Sequence, residues 1–260
     1  MPYAEVNGQR IWFEDSGGAG PAVLFSHGFL MDADMFAPQV EALAGEFRCI
    51  AWDERAFGRT EHDGKPFTYW DSAADALGLL DHLGVTSAVL AGMSQGGFLS
   101  LRAALHAPER VRALVLIDTQ AGVEDPQAIP GYQAMVADWE ANGPKNVGDI
   151  VADLIIGDPD ASRPWLAKWE DYPGSRLRVA FDCLVGRDDV TARLGEIGCP
   201  ALVVHGTADE SIDMASAETL CSGLADCRDL VRVDGAAHAS NLTHATVVNP
   251  AIREFLLSLA

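Results

Sequence analysis

Short apolar runs alternate with segments of helical periodicity along most of this chain. Ala22–Ser26 and Val111–Ile117 have the length and the apolar composition that predict buried strands. In Asp71–Leu83 the apolar residues recur with the spacing of one helix face, and Gly84 follows at a position that favours a helix end. Alternation of this kind predicts an α/β fold with a mostly parallel, doubly wound sheet.

The same two patterns predict the other regular elements. Strands are expected at Arg10–Glu14, Arg48–Trp52, Ala88–Ala91, Ala201–His205 and Leu230–Val233, and helices at Met35–Ala44, Ser94–His106, Met214–Leu224 and Val247–Leu259. Ligands of such sheets bind beyond the carboxyl ends of the parallel strands, and the candidate catalytic residues fall at those ends.

The strand signals stop between residues 122 and 198. Helical segments fill this interval, which predicts a helical cap inserted before the penultimate strand, while residues 1–121 and 199–260 form the core. Aromatic residues in such an insert either line a substrate pocket or form the interior of the cap helices. The candidate pocket residues are Leu30, Trp139, Trp165 and Phe181.

The segment Gly92-Met93-Ser94-Gln95-Gly96 stands between a predicted strand and a predicted helix. A Gly-x-Ser-x-Gly turn in that context is typical of a nucleophile elbow, which lifts one hydroxyl clear of the backbone at the end of a sheet. The glycines are needed because a Cβ at their positions would clash with the neighbouring strand and helix. Ser94 is therefore the candidate nucleophile.

A serine hydroxyl needs a base to accept its proton and a carboxylate to orient that base. His238 is the candidate base, because it lies in a loop rich in glycine and alanine after the last predicted strand, and His244 is the alternative. Asp209 is the candidate acid, in the loop after the penultimate strand, and Asp118 at the end of the strand before it is the alternative. The order serine, aspartate, histidine is the order expected on such a sheet.

The negative oxygen that forms during acyl transfer needs preorganised N–H donors. Gln95 follows the nucleophile and opens a helix, so its backbone N–H is one candidate donor. Phe29, in the loop His27-Gly28-Phe29 after a predicted strand, is the other. Gly28 permits a sharp turn there, and His27 is expected to hold neighbouring loops by hydrogen bonds.

Charge and composition disfavour several classes of binding partner. The 260 residues carry a formal net charge of −20, which disfavours binding to nucleic acid and to anionic lipid. No apolar stretch is long enough to span a membrane, and the first residues lack a secretory signal. The sequence also lacks motifs for a metal or a nucleotide. We therefore expect no cofactor, no metal and a cytoplasmic protein that acts on a small molecule. Its oligomeric state, monomer or homo-oligomer, is left open.

The five cysteines form no C-x-x-C pair, which argues against a zinc ribbon and a disulfide framework. Cys221 and Cys227 are close enough in sequence to form a bridge. Reduced thiols are nevertheless the expectation for a protein of the cytoplasm.

These segments together resemble the α/β-hydrolase superfamily along nearly the whole chain. The resemblance is carried by His27-Gly28-Phe29, by the turn at 53–58, by the Ser94 segment, and by the loops at 203–209 and 235–238. It is closest to small bacterial esterases, enol-lactonases and cofactor-free perhydrolases. Ala56 and Ala237 stand where that family usually has glycine, which puts only the geometry of their loops in question.

The resemblance implies the α/β-hydrolase fold and a reaction at an acyl carbonyl. Haloalkane dehalogenases and epoxide hydrolases of this fold carry aspartate at the elbow, whereas a serine suits acyl transfer. The expected function is cleavage of a small, fairly apolar carboxylic ester through an acyl-enzyme, with Ser94, Asp209 and His238 as the triad. The alternatives are a lactonase, a C–C bond hydrolase or perhydrolase with the same triad, and a ligand-binding relative without turnover.

Overall fold

An eight-stranded sheet forms the centre of the computed structural model, which describes residues 2–259. The strands are β1 (Tyr3–Val6), β2 (Gln9–Asp15), β3 (Ala22–Ser26), β4 (Arg48–Trp52), β5 (Ala88–Met93), β6 (Val111–Ile117), β7 (Ala201–Gly206) and β8 (Cys227–Val233). Their spatial order is β1-β2-β4-β3-β5-β6-β7-β8. The β1–β2 and β2–β4 pairs are antiparallel and the other pairs are parallel, so the expected mostly parallel sheet is confirmed.

Helices cover both faces of the sheet. They are α1 (Ala37–Leu43), α2 (Tyr69–His82), α3 (Gln95–His106), α4 (Ile129–Asn142), α5 (Gly148–Ile155), α6 (Pro159–Trp169), α7 (Gly174–Val185), α8 (Met214–Gly223), α9 (Ser240–Thr243) and α10 (Ala245–Ser258). Alternate strand residues point to opposite faces. Leu24 and Leu90 pack in a cluster with residues of α2, α3 and α8, whereas Val23 and Val89 pack in a cluster with residues of α1 and α10. The doubly wound arrangement follows from this alternation.

Most elements predicted from the sequence are confirmed to within three residues. The bounds of β3, β4 and β6 are those predicted. The first strand, β1, was not predicted, because its four residues bury only two apolar side chains, those of Ala4 and Val6. The predicted helix Met35–Ala44 begins with a 3-10 turn at Ala33–Phe36, and α1 follows that turn.

Helices α4 to α7 occupy the interval between β6 and β7, and no described residue in that interval lies in a strand. We call residues 122–198 the helical insert. The indole rings of Trp139 and Trp169 pack inside it, with their centroids 5.9 Å apart. Neither these helices nor any other helix within residues 2–259 is both long and apolar enough to cross a membrane.

The expectation of reduced thiols at Cys221 and Cys227 is wrong, because a disulfide joins these two residues. The chain turns from the end of α8 directly into β8, and the turn brings the two Cα atoms within 5.3 Å of each other. That separation lies in the range that a disulfide requires. Disulfides are rare in a reducing cytoplasm, and that rarity was the ground for expecting free thiols here.

Ala56 has a backbone conformation that glycine adopts most easily. Its φ is 70°, in the left-handed region, and the residue is fully buried. An L-residue pays about 1 kcal/mol or more for this conformation. The carbonyl of Ala56 accepts a hydrogen bond of 2.7 Å from the hydroxyl of Tyr172, in the helical insert, and this bond helps to hold the turn.

Gly92, the penultimate residue of β5, is a position at which a methyl group should be poorly tolerated. A Cβ there would lie 2.1 Å from the backbone oxygen of Gly96, an atom that cannot move without displacing α3. We expect Gly92→Ala to lower the free energy of unfolding by about 3 kcal/mol or more. Urea denaturation followed by circular dichroism measures this change.

Gly131 provides the matched control for Gly92→Ala. It lies inside α4, and a Cβ there would meet no described atom within 4 Å. Gly131→Ala should therefore raise the free energy of unfolding by about 0.5–1 kcal/mol, through helix propensity alone. Equal effects of the two substitutions would contradict the steric argument.

Candidate active site

The turn between β5 and α3 places Ser94 at the edge of the sheet. Its φ is 50°, a strained value for a serine. Two hydrogen bonds hold the turn: the Ser94 N–H donates to the carbonyl of Ile117 at 2.9 Å, and the Thr119 hydroxyl donates to the Ser94 carbonyl at 2.7 Å. The side chain is thereby presented beyond the carboxyl end of β5, as expected of an elbow.

The structure brings together the three side chains selected from the sequence. His238 Nε2 lies 3.0 Å from Ser94 Oγ, and His238 Nδ1 lies 2.7 Å from Asp209 Oδ2. The three residues follow β5, β7 and β8, whose carboxyl ends meet at one edge of the sheet. A hydroxyl, an imidazole and a carboxylate in this order form the geometry that general base catalysis requires.

The surroundings of Asp209 fix both its orientation and the tautomer of His238. Asp209 Oδ1 accepts hydrogen bonds from the backbone N–H groups of Ser211 at 2.8 Å and Ile212 at 3.0 Å. Because an ionised carboxylate only accepts hydrogen bonds, pairing with such a group requires the proton between Asp209 and His238 to sit on Nδ1. His238 Nε2 is then left as an acceptor for the Ser94 hydroxyl.

Burial and charge act in opposite directions on the pKa of His238. Removal from water disfavours the charged ring and lowers the pKa, whereas the carboxylates of Asp209, Asp118 and Glu124 favour the charged ring. The carboxylates prevail, and the pKa of His238 lies above its ordinary value. A raised pKa makes the ring a better proton acceptor once it is neutral.

The two alternatives from the sequence, Asp118 and His244, belong to other hydrogen-bond networks. Asp118 accepts from the Gly206 N–H at 2.8 Å, from the Ser240 N–H at 2.9 Å and from the Ser240 hydroxyl at 2.6 Å. Burial raises the pKa of Asp118 to about 6. The His244 ring lies 2.9 Å from the hydroxyl of Thr243. Neither alternative takes part in the hydrogen-bonded chain that ends at the elbow serine.

The loop after β3 runs beside the elbow. A Cβ added to Gly28 would lie 3.7 Å from the Cβ of Ser94. The backbone N–H groups of Phe29 and Gln95 donate to no acceptor among the described residues. Both groups are therefore available to an oxygen of a ligand bound at Ser94, which is the property expected of oxyanion donors.

Contacts from two directions hold this loop in place. His27 is fully buried, and its Nε2 accepts a hydrogen bond of 3.0 Å from the backbone N–H of Glu54, the structural role expected of it. Leu30, the residue after Phe29, has a φ of 63°, and its carbonyl accepts a hydrogen bond of 2.7 Å from the Trp169 indole. The helical insert thus supports a strained residue next to a candidate oxyanion donor.

A mostly apolar cavity of about 120 Å³ opens at Ser94 and His238. Most of its wall comes from α4, α5 and α7 of the helical insert. Three of the four predicted pocket residues, Leu30, Trp139 and Phe181, line it. A cavity with this volume and a mostly apolar lining suits a small apolar group.

The fourth predicted pocket residue, Trp165, does not line the cavity. It lies on α6, and no residue of that helix contributes to the described wall. Its ring is buried within the apolar cluster of the insert, with Lys168 Nζ 4.4 Å from the ring centroid. Helical periodicity identifies a buried side chain, but it does not identify the neighbour against which that side chain packs.

Three polar residues of the cavity wall, Glu124, Tyr132 and Ser211, were missed by the sequence analysis. Glu124 follows β6 and Ser211 follows β7, so both lie beyond carboxyl ends of parallel strands, where ligand-binding residues of such sheets collect. Their position after the predicted strands was the feature of the sequence that could have identified them. Burial, with the nearby charge of Glu124, raises the pKa of Tyr132, so its hydroxyl is a hydrogen-bond donor at neutral pH.

Asp118, His205 and Asp209 offer ligand atoms that all lie within 4.8 Å of one another, a spacing compatible with a metal. Both carboxylates already accept hydrogen bonds from backbone N–H groups, and His205 Nε2 donates to the carbonyl of Ile212 at 2.8 Å. These partners fit a hydrogen-bonded support behind His238, and we assign no metal to the cluster.

The sequence of the chain agrees with its fold. Residues 21–245 match the family defined by the alpha/beta hydrolase fold, and the protein belongs to that family. A putative non-heme chloroperoxidase from Synechocystis is 29% identical over 98% of this chain and 100% of its own length.

Two solved structures are similar over almost the whole chain. The structure of a thermophilic esterase from Thermogutta terrifontis has a TM-score of 0.90 at 26% identity and covers 99% of this chain and 98% of its own. The enol-lactonase from Burkholderia xenovorans LB400 has a TM-score of 0.89 at 25% identity, with coverages of 98% and 100%. Solved structures similar to this chain thus include an esterase and a lactonase.

Substitution of the two buried aspartates should separate their roles. Asp209→Asn turns an acceptor of the His238 Nδ1 proton into a group that favours the wrong tautomer, so kcat for an ester should fall about a thousandfold or more. Asp118→Asn should lower kcat less than about tenfold, because Asp118 does not contact the base. Steady-state kinetics on a p-nitrophenyl ester measures both. A greater loss in Asp118→Asn would reverse the assignment of the acid.

The pH dependence of kcat/KM should reflect the raised pKa of His238. The ring must be neutral to accept a proton, so kcat/KM should fall as the pH drops through a pKa above 6.5. Asp209→Asn removes the strongest charge that raises this pKa, so the acid limb of its residual activity should move to lower pH. An acid limb that stays in place would show that another group controls it.

Proposed function

We propose that this protein is a serine hydrolase that cleaves small, mostly apolar carboxylic esters through an acyl-enzyme. The observation that carries the proposal is the unbroken chain of hydrogen bonds from Asp209 through His238 to Ser94, at the mouth of an apolar cavity. Acyl transfer by this chain requires an ionised Asp209 and a neutral His238 with its proton on Nδ1, and the hydrogen-bond partners are compatible with both.

In the first half of the reaction, Ser94 Oγ attacks the ester carbonyl while His238 Nε2 accepts the hydroxyl proton. The carboxylate of Asp209 stabilises the imidazolium that results. The backbone N–H groups of Phe29 and Gln95 donate to the negative oxygen of the tetrahedral intermediate. His238 then gives its proton to the leaving alcohol, and the acyl group stays on Ser94.

In the second half, water takes the place of the alcohol. His238 Nε2 accepts a proton from the water as its oxygen attacks the acyl carbonyl, and the same two N–H groups stabilise the negative oxygen. The proton then passes to Ser94 Oγ as the acid is released. The base and the nucleophile are thereby restored for the next turnover.

The helical insert, residues 122–198, acts in this proposal as a cap that selects the substrate. It supplies Trp139 and Phe181 to the cavity, whereas the core supplies Ser94, His238 and Leu30. Apolar walls favour an apolar acyl chain, since its burial releases about 25 cal/mol per Å². The small cavity volume, about 120 Å³, favours a short chain.

A lactone is the second candidate substrate, and the similarity to an enol-lactonase over 98% of the chain favours it. A lactone presents the same carbonyl to the serine, but its leaving alcohol remains tethered to the acyl group. Rates with a linear ester and with a lactone of equal carbon number distinguish the two. A higher kcat/KM for the lactone would make lactonase the better description.

Replacement of the nucleophile tests the proposal directly. Ser94→Ala should lower kcat by at least about a thousandfold without changing the circular dichroism spectrum. The variant should also lose labelling by a fluorophosphonate probe, which reacts with activated serines.

Ser222→Ala is the matched control, because Ser222 is exposed and its hydroxyl only bonds to the carbonyl of Thr219. This variant should keep both activity and labelling. Retention of wild-type activity in Ser94→Ala would overturn the proposed function.

A further inference from the structure

One carboxylate forms part of the wall of the otherwise apolar cavity. Glu124 lies in the loop after β6, and its side chain is 13% exposed. Its Oε1 accepts a hydrogen bond of 2.7 Å from Arg187 Nη1. Its Oε2 accepts no hydrogen bond from any described side chain or backbone group. A residue of the cavity wall therefore carries a hydrogen-bond acceptor that no other described residue uses.

Arg187 lies behind the wall of the cavity. Its side chain is 1% exposed and does not line the cavity, although it contacts three residues that do: Phe98, Glu124 and Leu184. The guanidinium carbon lies 4.2 Å from the ring centroid of Phe98, and Nε and Nη1 donate to the carbonyls of Gly122 and Leu184. Nη2 has no partner within the described chain. The positive charge is thus screened from the cavity by Glu124 and Phe98.

This arrangement favours some substrates and disfavours others. A carboxylate on the acyl chain would meet the negative Glu124 in a site of low polarity, where like charges repel strongly. A wholly apolar chain would cover Oε2 without giving it a partner, which is also unfavourable. An N–H or O–H group on the chain would form a charge-assisted hydrogen bond with Oε2.

We propose that Glu124 makes the enzyme selective for uncharged esters or lactones whose acyl chain carries an N–H or O–H donor, and excludes acyl chains that end in a carboxylate. The proposal rests on the proposed function, since it concerns the acyl group that Ser94 would hold. Arg187 keeps Glu124 oriented and stabilises its negative charge.

The wild-type enzyme should rank methyl esters by the end of the acyl chain. The panel runs from butyrate to octanoate, each length with a terminal methyl, hydroxymethyl or carboxylate group, and acid release is followed by pH-stat. At the best length, kcat/KM should be highest for the hydroxylated ester and at least about tenfold lower for the carboxylated one. A wild-type preference for the carboxylated ester would overturn the inference.

Glu124→Gln should weaken or reverse this exclusion. It keeps an oxygen for Arg187 but removes the negative charge, so the buried guanidinium then attracts an anionic chain. The ratio of kcat/KM for the carboxylated ester to that for the methyl-ended ester should rise at least about tenfold. Asp125→Asn is the matched control, because Asp125 is an exposed neighbour outside the cavity wall, and its ratio should stay within about twofold of wild type.

A double variant covers the case in which Glu124→Gln does not fold. Glu124→Leu with Arg187→Met removes both charges together, and both the hydroxyl preference and the exclusion of carboxylates should be lost. Selectivity unchanged in a folded variant would overturn the role of Glu124. The proposed function would still stand in that case, because Ser94→Ala tests it separately. That substitution should abolish hydrolysis of every ester in the panel.

Discussion

The close approach of β5, α3 and the loop after β3 is the constraint on which the whole site depends. A Cβ at Gly96 would lie 2.0 Å from the carbonyl oxygen of Ser26, and one at Gly92 would lie 2.1 Å from that of Gly96. Only glycine lets the helix start against the neighbouring strand in this way. This approach brings the loop that carries Phe29 beside the elbow, since a Cβ at Gly28 would lie 3.7 Å from the Cβ of Ser94.

Asp209 and Asp118 show how hydrogen-bond partners determine the role of a buried carboxylate. Asp209 is held by two backbone N–H groups and faces the His238 ring, so its negative charge would stabilise the imidazolium of the proposed mechanism. Asp118 is also fully buried, but its hydrogen bonds join Gly206 to Ser240, and burial lifts its pKa to about 6. In the proposed mechanism Asp209 orients the base, whereas the hydrogen bonds of Asp118 join the loops that carry Asp209 and His238.

The sequence predicted the parts of the site that local rules determine. Ser94, Asp209 and His238 each follow a strand that is readable from its apolar run, and parallel strands bring such loops to one edge. The position of Trp165 and the composition of the cavity wall depend instead on how four helices pack together. No local pattern in a single sequence predicts that packing. The disulfide was missed for a similar reason, since the turn from α8 into β8 decides the separation of Cys221 and Cys227. Glu124 lies at a predictable edge, but its importance depends on a partner, Arg187, 63 residues away.

Hydrogen bonds from the helical insert reach two core residues whose backbone conformation is strained. Leu30 and Ala56 both adopt a positive φ, at 63° and 70°, and each carbonyl accepts a hydrogen bond from an aromatic side chain of the insert. These side chains, Trp169 and Tyr172, lie at the junction of α6 and α7, where Lys168 also forms a salt bridge of 2.7 Å with the core. Opening of the whole insert as a rigid body would break all three contacts and leave both strained loops unsupported. The junction therefore couples the insert, which lines most of the cavity, to the loop that carries the Phe29 N–H. In the proposed mechanism, changes in the insert would act on the chemistry as well as on binding.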